Sequence, residues 1–230
     1  MKNLTKKDVY KYIKSGELTR PFLDDNFVKD KVNTDYRYRI ENFNNGNILE
    51  SLYLWIHKNI EKSDAEFKIK YKFNRTAKEI WESGKSTGCT DYALIFATFA
   101  RQLGISTTIF CTAEKNWLIK NINNEDFSIR SGHAFCECYY EGKWVLVDPT
   151  CKEIIEEYDA NIITLPYSIG GKGCNTYIPY YRGCDLGRKM TAKEHSDFED
   201  NCINKMLCWV LNWCFFVVIY FEKYINNFPK

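Results

Sequence analysis

Cys89, His133 and Asp148 follow one another along the chain as a thiol, an imidazole and a carboxylate. These are the three groups of a nucleophilic triad: the thiolate attacks a carbonyl carbon, the imidazole carries the proton, and the carboxylate orients the imidazole. Each lies in a local context suited to its part. Cys89 ends the run Ser86-Thr87-Gly88 and opens an apolar helical pattern. A helix start offers unpaired N–H groups and a positive partial charge, which favour thiolate over thiol and can hold an oxyanion. Gly88 leaves room beside the sulfur and lets the backbone turn into the helix.

The other two residues sit on strand-like runs, Gly132 to Tyr140 and Lys143 to Asp148, joined by Glu141-Gly142. A two-residue turn there pairs Tyr140 with Lys143, Phe135 with Asp148 and His133 with Thr150. His133 and Asp148 then leave the same face as diagonal neighbours, about 7 Å apart at the backbone, within reach of a leaning imidazole and a short carboxylate. A one-residue bulge would put them on opposite faces. Pro149 ends the strand directly after the carboxylate. Singly, each residue has an ordinary structural reading; a cysteine at a helix start is usually packing, and an aspartate before proline is usually a turn. Their joint register carries the chemistry. His57 and His195 compete for the base role, but packing or surface roles suit both better.

The elements that must position the triad follow from period and capping. Asn47 with Glu50 starts a helix carrying Ile48, Leu52, Trp55, Ile56 and Ile60. Phe67 to Phe73 alternates apolar residues with lysine, as in a short strand or extended loop, and Thr76 with Glu79 forms a capping box. From Cys89, the residues Ala93, Phe96, Ala97, Ala100 and Leu103 share a helical face that Gly104 terminates. Ile105 to Phe110 reads as a strand and Asn116 to Arg130 as a surface connection. After Pro149 the glycines and prolines suggest loop, until a capping box at Thr191 and Glu194. Thr5 with Asp8 starts a short helix within an otherwise irregular extension. The expected organisation is therefore an N-terminal extension over 1–46, a catalytic domain over 47–190, and a C-terminal helical segment over 191–230.

Composition excludes several alternatives. The 230 residues carry 32 basic and 30 acidic side chains, and a formal charge of +2 gives no field that argues for nucleic acid. Met1 to Asp8 lacks an apolar secretory core, so the expectation is an intracellular, reducing compartment in which most of the ten cysteines stay as buried thiols. Cys136-Glu137-Cys138 could join Cys151 in a metal site, but strand alternation puts Cys136 and Cys138 on the face opposite His133. No metal and no cofactor are expected. Residues 206–221 form an apolar run that would span about 24 Å as a helix, slightly short of a bilayer core. Membrane association through a tail anchor and packing as a terminal helix both fit it.

Four segments resemble the transglutaminase-like superfamily: Gly88-Cys89-Thr90-Asp91-Tyr92-Ala93, Ala100-Arg101-Gln102-Leu103-Gly104-Ile105, Gly132-His133-Ala134-Phe135 and Gly142 to Thr150. The similarity runs from about Ile48 to Thr150, with a looser match at Arg182 to Gly187. It implies an α+β fold of papain-like type, in which Cys89 begins a central helix packed on an antiparallel sheet carrying His133 and Asp148. It also implies acyl chemistry on an amide through a thioester, in a compact microbial or viral type of enzyme. Phe135 stands where many members have Trp. A second oxyanion donor is not chosen by spacing among Tyr53, Trp55 and Trp81. The expected function is thus a cysteine-dependent amide or isopeptide hydrolase or acyltransferase with a protein or peptide substrate. The competing reading is a non-catalytic, membrane-associated adaptor on the same scaffold.

Overall fold

The computed structural model describes residues 16–20, 47–122, 131–158, 163–165, 175–183, 185–191 and 193–205. The chain divides into two compact units, 1–191 and 192–230. The first is a mixed α+β unit, as the sequence predicts. Its sheet starts from the most apolar β-branched run. Strand β3, Ser106–Glu114, is buried along almost its whole length and pairs antiparallel with β4, Gly132–Tyr140. The chain then turns through Glu141 and Gly142, both with positive φ, into β5, Lys143–Asp148. Two positive φ values in a two-residue hairpin loop match the twist of the flanking strands. Tyr140 pairs with Lys143 and Cys136 with Val147, so the register is the one the turn dictates, without a bulge.

Two short strands, β6 (Glu153–Ile155) and β7 (Ile163–Leu165), and a nine-residue strand, β8 (Asn175–Gly183), complete the sheet in the order β6-β5-β4-β3-β8-β7. These three correct the expectation of loop after Pro149. Pro179 and Gly183 argue against a central strand, yet β8 lies between β3 and β7. It tolerates them because its register against β3 shifts between Cys111 and Thr112 and its pairing with β7 stops at Tyr177. A bulge and an unpaired stretch are where a sheet admits proline. One face carries a core cluster of Phe110, Phe135, Leu146 and Tyr177. Beside it the buried Glu137 accepts from Tyr158 at 2.5 Å and from Arg182 at 3.2 Å, which supplies partners for its charge.

Helix α1, Ile48–Asn59, begins where Asn47 Oδ1 accepts the N–H groups of Leu49 and Glu50. The segment Phe67 to Phe73 is not a strand: Asp64 caps helix α2, Ala65–Tyr71, which buries none of its side chains. With no core face to set a period, the alternation was not a structural signal, and the cap decided. Helix α3, Ala77–Ser83, has the expected Thr76/Glu79 capping box. Its neighbour α4, Cys89–Gln102, is buried all round from Asp91 to Arg101 instead of along one stripe, because α1 and α3 pack on it as well as the sheet. It ends in Leu103 and the left-handed Gly104, with Gly104 and Ile105 donating back to Arg101 and Ala100 as in a Schellman turn. The expected surface connection is in part a helix, α5, Lys115–Ile122, whose Trp117 and Leu118 are buried. A two-stranded parallel pair, β1 (Glu61–Lys62) with β2 (Lys85–Ser86), leads into Cys89.

Residues 16–20 are built into this unit. Leu18 is buried, and its N–H donates to Asp185 Oδ2 at 2.8 Å while its carbonyl accepts from Ala77. Thr19 accepts from the buried Arg101, whose other donors reach the Thr107 carbonyl. The second unit contains helix α6 over residues 193–205. The predicted helix near Thr5 and the apolar run 206–221 lie outside the described residues. Among those described, no helix is long and apolar enough to cross a membrane.

Asp185 joins two distant parts of the chain, since it also accepts from Gly187 N at 2.7 Å. Asp185→Ala leaves two N–H groups without this acceptor, and we expect it to cost about 1–3 kcal/mol. Urea unfolding should show a lower midpoint with an unchanged slope.

Candidate active site

The three sequence-predicted residues come together where α4 begins and β4 begins. Gly88, the N-cap, has φ 154°, a region reserved for glycine, although open space surrounds the position of an added Cβ. Backbone conformation, not crowding, therefore demands the glycine. Ser86 Oγ bridges this turn, accepting from Gly88 N and donating to Gly88 O at 3.1 Å each. Asp91, in the first turn of α4, reaches back to accept the N–H and the hydroxyl of Thr87, both at 2.7 Å. Arg75 donates to the same Asp91 oxygen, and both side chains are buried. An acid in the first turn agrees with the helix dipole, and the guanidinium balances its charge close to Cys89. Sequence reading passed over Arg75 and Asp91. The visible signal was a carboxylate two residues after Cys89 with a threonine four residues before it.

On the sheet, Gly132 lets β4 start against β3, because a Cβ there would lie 2.5 Å from the Thr112 carbonyl oxygen. Thr112 Oγ1 in turn donates to the His133 carbonyl at 3.0 Å. His133 packs edge-on against Phe135 at 4.7 Å between ring centroids. Its Nε2 bonds Asp148 Oδ2 at 2.9 Å, with both side chains essentially inaccessible. That bond leaves Nδ1 for Cys89, whose thiol is hydrogen-bonded to His133. The common face deduced from the hairpin register is thus the face used.

Asp148 is held from its own turn as well. Its Oδ1 accepts the N–H groups of Thr150 at 2.9 Å and Cys151 at 3.0 Å, and the Cys151 thiol also bonds the carboxylate. Donor atoms of His133, Asp148 and Cys151 all lie within 4.8 Å of one another. His57 serves the same turn: its Nε2 donates to the Pro149 carbonyl at 2.7 Å, and its ring stacks on Tyr92 at 4.5 Å. Burial lowers its pKa, so it acts as a neutral strut under Asp148. His195 belongs to the second unit, where it faces Glu199 one turn along.

The electrostatics separate Cys89 from the other thiols. Burial works against its thiolate, but the charge and hydrogen bond of His133 and the N–H of Ala134 outweigh it and lower the pKa. Burial likewise disfavours a charged His133, yet the Cys89 charge and the bond to Asp148 raise it to about 10. Asp148 is lowered despite burial, chiefly by its bond to His133 and that group's charge. All three shifts run toward the charged forms, thiolate, imidazolium and carboxylate, and the groups titrate as one coupled set. Cys138 is pushed up to about 12 and Cys136 well above its ordinary value, both mainly by burial, so they are inert. Cys136 donates to the Ala93 carbonyl on α4, on the opposite side from His133. Trp55 and Trp81 stack on each other at 4.7 Å and meet Phe99, ten residues along α4 from Cys89, edge-on.

A family model described as the transglutaminase-like superfamily matches residues 28–149, more than half of the 230 residues. A search of curated proteins returned no match. Among solved structures, a chain from Cytophaga hutchinsonii described as a "putative cysteine protease" is similar at 15% identity with a TM-score of 0.47, over 84% of this chain. The match covers 51% of that chain, so this protein spans about half its length.

Arg75→Ala strands the Asp91 charge, and loss of one partner of a buried pair costs about 3–5 kcal/mol. The expected result is a lower unfolding midpoint together with slower alkylation of Cys89, because the turn that aims the sulfur loses its brace. Unchanged alkylation in a folded variant would contradict that role.

Proposed function

The chain belongs to the transglutaminase-like superfamily, and from that premise we propose that it is a cysteine-dependent hydrolase of amide or isopeptide bonds in a protein or peptide. The observation that carries the reading is the buried 2.9 Å bond between His133 and Asp148 next to a Cys89 of lowered pKa. Cys89 Sγ attacks the carbonyl carbon, and negative charge moves to the carbonyl oxygen. The free N–H groups at the start of α4, beginning with that of Cys89, are the donors suited to that oxygen. His133 passes the Nδ1 proton to the departing amine as the C–N bond breaks, leaving a thioester. Neutral His133 then takes a proton from water, which attacks the thioester and releases the acid and the thiolate. Asp148 fixes the tautomer throughout and keeps imidazolium favourable in a buried setting.

The same thioester would pass its acyl group to a primary amine if one reached it ahead of water. Hydrolysis is the reading put to the test here. A non-catalytic adaptor gains no support from the electrostatics: binding alone does not need a thiolate and imidazolium held by a buried carboxylate.

Cys89→Ala should abolish turnover of a peptide amide and Asp148→Asn should lower kcat by several orders of magnitude, with folding intact by circular dichroism. Full activity in Cys89→Ala would end the proposal. A labelled primary amine should be left unincorporated, and stoichiometric incorporation would reassign the enzyme as a transferase.

For pH, activity requires Cys89 deprotonated and His133 protonated. The rate should therefore rise as pH passes the lowered thiol pKa and fall as it passes the raised imidazole value of about 10. Iodoacetamide should modify Cys89 faster than a free thiol at neutral pH. A rate that begins to climb only near the ordinary thiol pKa would contradict the ion pair.

A further inference from the structure

Cys151 takes no part in that reaction, yet the fold delivers its thiol to the centre of the site. The turn Asp148-Pro149-Thr150-Cys151 is closed by Lys152 N donating to the Asp148 carbonyl at 2.9 Å. It curls back so that both the N–H and the thiol of Cys151 meet the carboxylate. Besides the backbone N–H groups, Asp148 therefore faces two side-chain donors, His133 Nε2 and Cys151 Sγ. The three donor atoms lie within 4.8 Å of one another, and Cys151 is half-buried while His133 and Asp148 are buried.

We propose that His133 Nε2, an Asp148 carboxylate oxygen and Cys151 Sγ form a zinc-binding site whose occupation switches off Cys89. Sulfur, imidazole nitrogen and carboxylate oxygen are the donors Zn²⁺ takes, with bonds of about 2.0–2.3 Å. Tetrahedral edges at those lengths are about 3.3–3.7 Å. The 2.9 Å His133–Asp148 separation has to open by less than an ångström, and the widest separation in the cluster, at most 4.8 Å, to close by about one. Three protein ligands leave a fourth position for water. The exchange balances: one Zn²⁺ enters, the Nε2 and Sγ protons leave to solvent, and the charge of the buried cluster is unchanged. Zinc then stands between His133 and Asp148. The carboxylate no longer orients the imidazole through a hydrogen bond, and the ring is fixed to a metal while the proton shuttle needs it free. The half-buried Cys151 marks the side of entry, and Cys151 is close enough to feel the Cys89 charge.

The inference uses the side chains of the proposed catalytic site, but its test does not depend on turnover. The full chain is titrated with Co²⁺, reading the thiolate-to-cobalt absorption and its displacement by Zn²⁺. Wild type and Cys89→Ala should each take up one ion per chain with the thiolate band. Cys151→Ala should lose the band and bind zinc at least tenfold more weakly. In wild type, zinc should also protect Cys151 from alkylation, read by mass spectrometry, which does not rely on the variant folding. A band that survives Cys151→Ala, or Cys151 alkylated equally fast with zinc present, overturns the metal site and leaves the hydrolase reading standing. An active Cys89→Ala that still binds cobalt through Cys151 would do the reverse.

Discussion

A carboxylate with no exposure cannot remain charged unless donors replace the water it has lost, and Asp148 is such a group. Its four partners come from two sources. The Thr150 and Cys151 backbone groups and the Cys151 thiol come from its own turn, and the His133 imidazole comes from the neighbouring strand. Meeting the need of this one charge sets the orientation of His133, and through His133 the ionisation of Cys89. The hairpin, the proline that ends it and the His57 strut beneath Pro149 are all arranged around keeping that carboxylate in place.

A second buried charge mirrors the first on the helix side. Asp91 is satisfied by Arg75 and by Thr87, so the loop before Cys89 is drawn onto the first turn of α4. Cys89 and His133 are each positioned by a buried carboxylate, one braced by a guanidinium and the other by an imidazole. Rigid elements carry both, since α4 is packed on all sides and β4 is paired on both edges. Such placement holds the two side chains in one relative arrangement.

The elements read best from sequence were those with local causes. Asn47, the Thr76/Glu79 box, Gly104 and the Glu141-Gly142 turn act through bonds a few residues long, and each appears where expected. Segments whose state depends on partners were misread. Phe67 to Phe73 had no core face to give its alternation meaning, and the cap at Asp64 made it a helix. Strand β8 looked like loop because Pro179 and Gly183 disfavour pairing in isolation, while β3 and β7 offered a bulged register that accepts them. Part of the stretch taken for an irregular extension, residues 16–20, is tied down by Asp185 and Arg101, far away in the chain.

The sequence by itself determined the identities of Cys89, His133 and Asp148, the helix start and the hairpin register, because turn geometry and strand period are local and force His133 and Asp148 onto one face. Only the tertiary structure decided how the charges are shared. The approach of α4 to β4 is long-range, and it brings the three side chains close enough for their mutual charges and hydrogen bonds to shift each toward its charged form against the opposing effect of burial. The place of Cys151 was likewise beyond sequence reading, since a thiol three residues past an aspartate meets it only when the turn between them closes.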